Sequence, residues 1–142
     1  IGRPHIAKIL VKRGIVADIS DAFKTYLGEG KKAFCQGEIF SIEEAVQAIH
    51  DAKGFAVLAH PHLHYNDAFV REILNAHKLD GIECEYAIMP AAKNARYRNY
   101  AKQKNLLITG GSDFHGANKP MIPLGSAVIG EEQIKPLLSH AL

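Results

Sequence analysis

The sequence predicts an α/β domain built on a parallel sheet, preceded by a small helical unit. Short segments at residues 55–59, 81–84, 106–109 and 127–129 have strand character, and amphipathic patterns of helix length lie among them. Hydrophobic residues are 47% and charged residues 23% of the 142 positions, the balance of one globular domain. That length falls short of the roughly 250 residues of a complete eight-stranded α/β barrel.

Taken in order, Pro4 suits the first turn of a helix, and Ile6, Ile9 and Leu10 recur at helical spacing until Gly14. A second helix is expected after Asp18 or Ser20, with Ala22, Phe23, Tyr26 and Leu27 on one face and Gly28 as its stop. The glycine- and lysine-rich segment 28–37 reads as a loop, which makes residues 1–40 a helical unit distinct from residues 41–142. Ser41 with Glu44 forms a capping box, opening a helix whose expected buried stripe is Ala45, Ala48 and Ile49. Residues 55–59, between Gly54 and His60, have the pattern of a strand buried on both faces. A helix around Phe69, Ile73 and Leu74 follows, then the strand 81–84, a basic helix over 91–104, the strand 106–109, a further strand 127–129 and a closing helix 131–138. From residue 41 onward this is either about half of a barrel or a small open sheet.

Seventeen Lys+Arg against fifteen Asp+Glu leave a formal charge of +2, too little to argue for nucleic acid or an anionic membrane from charge alone. No apolar stretch approaches the roughly 20 residues of a membrane span, and residues 1–5 carry no apolar signal core. Cys35 and Cys84 have no C-x-x-C spacing, so both are expected as buried apolar residues of a cytoplasmic protein.

Histidine is the unusual count, eight in the chain, and His60, His62, His64 and His115 fall in two short segments. Loops at the carboxyl ends of parallel strands converge on one rim. His60 follows one strand directly, and Gly110-Gly111-Ser112-Asp113-Phe114-His115 follows another, so both motifs reach that rim. Asp113 and His115, two residues apart, face the same way in extended chain. With His60 they offer mixed nitrogen and oxygen donors, suited to Zn, Mn or Fe. The plainer alternative makes Asp113 a turn cap and the histidines polar strand ends.

His62 and His64 are either solvated or supporting residues, or direct ligand or substrate contacts. His50, His77 and His140 are expected at the surface. Gly2-Arg3-Pro4-His5 opens a helix, where Arg3 can hold a phosphate bidentately and His5 can donate to it; a plain capped helix is the alternative. Asn118 and Lys119 either reach the rim or lie in a solvated loop. Lys93, Arg96, Arg98, Lys102 and Lys104, interleaved with Tyr97 and Tyr100, make either a polynucleotide contact or a solvated outer face. Glu83 is either a partner of a ligand histidine or half of a structural salt bridge.

Five segments together resemble the PHP (polymerase and histidinol phosphatase) superfamily of metal-dependent phosphoesterases. They are Gly2-Arg3-Pro4-His5-Ile6-Ala7, Tyr26-Leu27-Gly28-Glu29-Gly30, Ala56-Val57-Leu58-Ala59-His60-Pro61, Asp80-Gly81-Ile82-Glu83 and Gly110-Gly111-Ser112-Asp113-Phe114-His115-Gly116. They occur in family order over essentially the whole chain and look closest to the branch of 3′,5′-nucleoside bisphosphate phosphatases and 5′-to-3′ exoribonucleases. His62 stands where this branch often has Gly.

The resemblance implies a distorted seven-stranded α/β barrel, with a helical insertion that ends near residue 40. It implies two or three divalent ions (Mn, Zn or Fe), with His60, Asp113 and His115 matching family metal ligands at the catalytic centre. Arg3 and His5 match the segment that approaches the substrate phosphate. The implied activity is hydrolysis of nucleotide or short oligonucleotide phosphate esters by metal-activated hydroxide, with no membrane partner. The family's other ligand motifs precede the Gly2-Arg3-Pro4-His5 segment, so these residues look like the C-terminal half of a longer protein. By themselves they are expected to be nearly inactive and to self-associate through an open barrel edge. The competing expectations are a non-catalytic scaffold or nucleic-acid-binding module, and a histidinol-phosphate phosphatase.

Overall fold

A computed structural model of the chain describes residues 2–37, 40–63 and 66–139. The chain divides into two compact units, Ile1–Ile39 and Phe40–Leu142.

The first unit is helical. Helix α1 spans Arg3–Lys12 with Pro4 in its first turn, and the chain leaves it through Gly14 in the left-handed region at φ 67°. Asp18 caps the short helix α2, Ile19–Ala22, by accepting the Asp21 N–H at 2.8 Å. The expected second helix then changes pitch, because Phe23–Leu27 winds as a π-helical turn. Gly28 closes it by donating to the Phe23 carbonyl at 2.8 Å, an approach that leaves no room for a side chain: a Cβ would stand 2.6 Å from that oxygen. Ala7, Val16, Ala22 and Leu27 form this unit's core.

The second unit holds an open parallel sheet in the order β1-β2-β3, formed by Val57–Leu58, Gly81–Tyr86 and Leu107–Gly111. Helix α3, Ile42–Asp51, precedes β1; α4, Asp67–Ala76, connects β1 to β2; α5, Ala91–Lys104, connects β2 to β3; and α6, Glu131–Leu138, follows. This is the strand–helix–strand alternation the sequence predicts. The Ser41–Glu44 capping box is present, each residue accepting the other's backbone N–H at 2.7 and 3.1 Å. The central strand alternates with period two: Ile82, Cys84 and Tyr86 are buried, while Glu83 and Glu85 are half-buried. Val70 and Leu74 of α4 and Tyr97 and Ala101 of α5 complete the core with them.

Two details fix the sheet. Asp80 Oδ2 accepts the Ala56 N–H at 2.6 Å and contacts His50 Nε2 at 2.8 Å, which ties α3 and the entry of β1 to the start of β2. Further along, Glu83 lies opposite Thr109 but Glu85 opposite Gly110, so Cys84 is an extra residue in a bulge. Gly110 lets the strands close there. A Cβ on it would sit 2.4 Å from Glu85 Cβ and 2.7 Å from the Glu85 carbonyl oxygen.

Several expectations are corrected. On α3 only Val46 is buried; Ala45, Ala48 and Ile49 are exposed. The apolar face carrying Ala45 and Ile49 lines an open groove of about 310 Å³ with Val57, Leu58 and Ile73. Strand β1 is two residues long and half-buried rather than covered on both faces, because it is the edge of the described sheet. Residues 127–129 are not a strand, and Val128 is 71% exposed: an apolar triplet without a neighbouring ladder does not become a strand. On α4 the buried residues are Val70, Ile73 and Leu74, with Phe69 exposed. Cys84 is buried but Cys35 is exposed. His50 and His77 contact Asp80 and Glu43 at 2.8 Å; the expectations on His64 and His140 lie outside the described residues.

The bulge gives a stability test. Gly110→Ala should cost about 1–3 kcal/mol through backbone displacement. Gly111→Ala, where a Cβ meets nothing within 4 Å, should cost almost nothing. Equal urea midpoints for the two variants would show that the Gly110 contact does not limit strand closure.

Candidate functional site

The described residues with positive φ other than glycine are Lys53, His60, Asn105 and Asp113. Lys53 and Asn105 follow helices α3 and α5, where a left-handed residue is an ordinary way to end a helix. His60 at φ 50° and Asp113 at φ 53° have no such reason: they stand just beyond β1 and β3, on the carboxyl rim of the sheet. Strain placed at that rim marks it as the candidate site.

Strand β2 supplies the partners of both residues. Glu83 Oε2 accepts the His60 backbone N–H at 2.8 Å, so Glu83 positions His60 through the backbone rather than the ring. Tyr86 donates its hydroxyl to Asp113 Oδ2 at 2.7 Å. Lys119 Nζ reaches the same oxygen at 2.7 Å, which places Lys119 at the rim. The other oxygen, Oδ1, lies 3.8 Å from His60 Nε2 and 3.6 Å from His115 Nδ1. His115 Nδ1 is also 2.5 Å from the Asp113 carbonyl oxygen, an acceptor, so that nitrogen donates to it.

Hydrogen bonds from Lys119 and then Tyr86 hold the Asp113 carboxyl down at a pKa of about 2. Burial, reinforced by the bond to Asp113, pushes the Tyr86 hydroxyl up to about 12, so it remains a donor at neutral pH. The Tyr86 ring is also a platform. His62 packs on it with centroids 4.3 Å apart, and His60 meets it edge-on at 5.5 Å. The 3₁₀ turn Pro61–Leu63 is clamped from α5 by Tyr97, which donates to the Pro61 carbonyl at 3.3 Å, and by Lys93, which donates to the His62 carbonyl at 3.5 Å. Both ring nitrogens of His62 are buried with no partner among the described residues, and burial lowers its pKa, with His60 and Lys93 adding to the effect. His62 is therefore not a solvated loop residue.

The donor chemistry fits a divalent ion of the Mn, Zn or Fe type: a low-pKa carboxylate, an imidazole beside it, and a second imidazole whose other nitrogen is committed to a carbonyl. Among the described residues no three such side chains already converge to hold an ion, and Lys119 occupies one oxygen of Asp113. Arg3 and His5 stand on α1 in the first unit. The Arg3 guanidinium lies 5.9 Å and 5.7 Å from the ring centroids of Phe23 and Phe34. His5 Nδ1 accepts the Gly2 N–H at 3.1 Å, so His5 caps its helix and the Nε2–H remains free to donate. The basic helix is largely tied down: Lys93 and Arg96 contact Asp67 at 3.6 and 3.2 Å, and Arg98 pairs with Glu85. Tyr86 escaped the sequence reading because the strand was expected to stop at residue 84; its alternation with Ile82 and Cys84 was the available signal.

The Asp113 clamp predicts a pH dependence. A carboxyl held below its unfolded value contributes stability that is complete above about pH 4 and is lost as pH falls through about 2. Tyr86→Phe should raise the Asp113 pKa toward the usual carboxylate range and flatten the loss of stability between those values. Carbon-13 NMR titration of the carboxyl carbon measures it, and an unchanged Asp113 titration would remove Tyr86 from the clamp.

No protein-family model matches the chain. It is 38% identical over 120 residues to a 5′-3′ exoribonuclease of Haemophilus influenzae, a match covering 81% of this chain and 43% of that protein. It is 33% identical over 119 residues to a 3′,5′-nucleoside bisphosphate phosphatase of Chromobacterium violaceum, covering 81% of this chain and 42% of that protein. A Bifidobacterium adolescentis protein described as a metal-dependent phosphoesterase shares the fold with a TM-score of 0.76 and 32% identity, over 99% of this chain and 50% of that one. The chain thus spans less than half the length of these curated relatives. Over that part the chain is similar in sequence to an exoribonuclease and a nucleoside bisphosphate phosphatase, and in fold to a protein described as a metal-dependent phosphoesterase.

Proposed function

We propose that these residues form part of a metal-dependent phosphoesterase that hydrolyses nucleotide phosphate esters, either 3′,5′-nucleoside bisphosphates or the 5′ ends of short RNA. The observation that carries this reading is the pair of strained residues, His60 and Asp113, brought together with His115 on one rim. The names of the relatives supply the substrate class.

In this reading His60, Asp113 and His115 hold a divalent ion, beside His62, whose buried nitrogens have no partner among the described residues. A bound ion of this kind supplies Lewis-acid neutralisation of phosphate charge and lowers the pKa of water. The chain's own residues do the rest. Glu83 and Tyr86 fix the ligand-bearing backbone and carboxylate, and within the helical unit Arg3 and His5 are residues for binding a phosphate. Residues 41–142 contribute to a distorted seven-stranded barrel and residues 1–40 to the end of a helical insertion. The open edge at β1 and the apolar groove beside it support that placement, since further barrel layers would cover both. Three ligands are too few for a two- or three-ion centre, so the chain by itself binds one ion weakly and is nearly inactive.

The non-catalytic reading has one observation in its favour, the ammonium of Lys119 seated on Asp113. Elemental analysis and a substrate panel separate the two. The panel is a nucleoside 3′,5′-bisphosphate, a 5′-phosphorylated oligoribonucleotide and histidinol phosphate, offered to the protein carrying these residues. We expect bound metal, turnover of one of the first two substrates, and loss of both metal and at least about a hundredfold in rate in Asp113→Ala. A metal-free protein inactive on all three sinks the catalytic reading. Efficient hydrolysis by the 142-residue chain alone would overturn the shortage of ligands.

A further inference from the structure

We propose that Lys119 is a resident counter-ion that is exchanged during function. It neutralises Asp113 until a divalent ion takes that carboxylate, and the freed ammonium then holds a phosphate oxygen of the substrate. The inference rests on the metal-dependent reading of the rim and goes beyond it, by assigning a ligand-binding role to a residue outside the motif ligands.

Asp113 Oδ2 receives two donors of very different freedom. Tyr86 is 4% exposed, its ring carries two histidine rings, and its hydroxyl lies 2.7 Å from the oxygen. It cannot leave without opening the core. Lys119 holds the same oxygen at the same distance from the end of a four-carbon stem, with its side chain 42% exposed. It follows the 3₁₀ turn Gly116–Asn118, whose first residue is a left-handed glycine at φ 59°. It has no other acidic partner among the described residues.

A divalent ion on Asp113 would therefore meet a like charge a few ångströms away, and the mobile, solvated partner is the one to yield. Its stem keeps the ammonium at the rim after it yields. There the nearest new anion is the phosphate group that the ion itself attracts. A lysine binds phosphate as a point charge and needs no fixed geometry, which suits a residue that changes partner.

The test uses the 142-residue chain, Lys119→Met and Lys119→Arg, with Lys102→Met as a control for net charge. Mn(II) affinity is read from the spin-resonance signal of free Mn(II), and inorganic phosphate affinity is then read at saturating Mn(II). Lys119→Met should bind Mn(II) about fivefold more tightly and phosphate about fivefold more weakly. Lys119→Arg should return both toward wild type, and Lys102→Met should change neither. Opposite signs are the signature, because a residue that only braced its loop would weaken both. Unchanged Mn(II) or phosphate affinity in Lys119→Met, weakening of both, or equal shifts in Lys102→Met overturns the exchange. If wild type binds Mn(II), Asp113→Ala abolishes it and Lys119→Met alters nothing, this inference alone falls. If the wild-type 142-residue chain binds no Mn(II) at millimolar concentration, the exchange falls, and the metal-dependent reading is decided by elemental analysis of the protein carrying these residues.

Discussion

The rim is assembled by one strand. Both backbone-strained residues lie outside β2, one beyond each neighbouring strand, and each is held by a side chain that β2 provides: Glu83 for the N–H of His60 and Tyr86 for the carboxylate of Asp113. Parallel pairing makes this possible, because it brings the carboxyl ends of all three strands to the same side. The bulge at Cys84 adds one residue to β2 between Glu83 and Glu85, and so sets where along the rim Tyr86 arrives relative to β3. Gly110 is the complementary concession on β3, since any side chain there would collide with Glu85. Strand register, bulge and glycine thus act together to aim one phenol at one carboxylate.

The energetics are consistent with that division of labour. A left-handed backbone costs a non-glycine residue about 1–2 kcal/mol, and hydrogen bonds to charged groups return about 1.5–3 kcal/mol each. His60 has one such bond, from its N–H to the Glu83 side chain, and Asp113 has two through its carboxylate. The strain is offset locally, without help from the open β1 edge. Asp113 stays ionised over the whole physiological range because its two donors favour the charged form. A carboxylate already organised as an anion, beside imidazoles with nitrogens to spare, is a site that attracts a cation.

Much of this was legible in the residues, and the failures share a cause. The helices at Ser41, at residues 91–104 and at 131–138, and the parallel alternation, follow from caps and periodicity, which are local. His60, Asp113 and His115 could be placed on one rim because a strand's end is where its carboxyl neighbour must be. What misled were the apolar runs whose burial depends on a neighbour: residues 127–129 and the Ala45, Ala48 and Ile49 stripe are apolar but lack an opposing layer in the described structure, and residues 55–59 are only partly covered. Hydropathy states what a segment would gain from being covered, not whether a cover exists. Tyr86 was missed because the strand was expected to end at residue 84, and Lys119 was left open between the rim and a solvated loop because a distance around a turn is not written in sequence spacing.

Helix α5 shows how charge that suggests a polyanion partner can be consumed internally. Of its five cations, Lys93 and Arg96 converge on Asp67, whose Oδ1 also accepts the Tyr97 hydroxyl, and Arg98 pairs with Glu85 of β2. These three ties fasten the helix to the first residue of α4 and to the central strand, while Lys93 and Tyr97 also clamp the turn that carries His62. Lys102 and Lys104 lie in the last turn, where positive charge complements the helix dipole. With the formal charge of the chain only +2, recognition of a phosphate ester is better sought where charge is organised and exchangeable, at the rim, than along a helix whose cations mostly serve the fold.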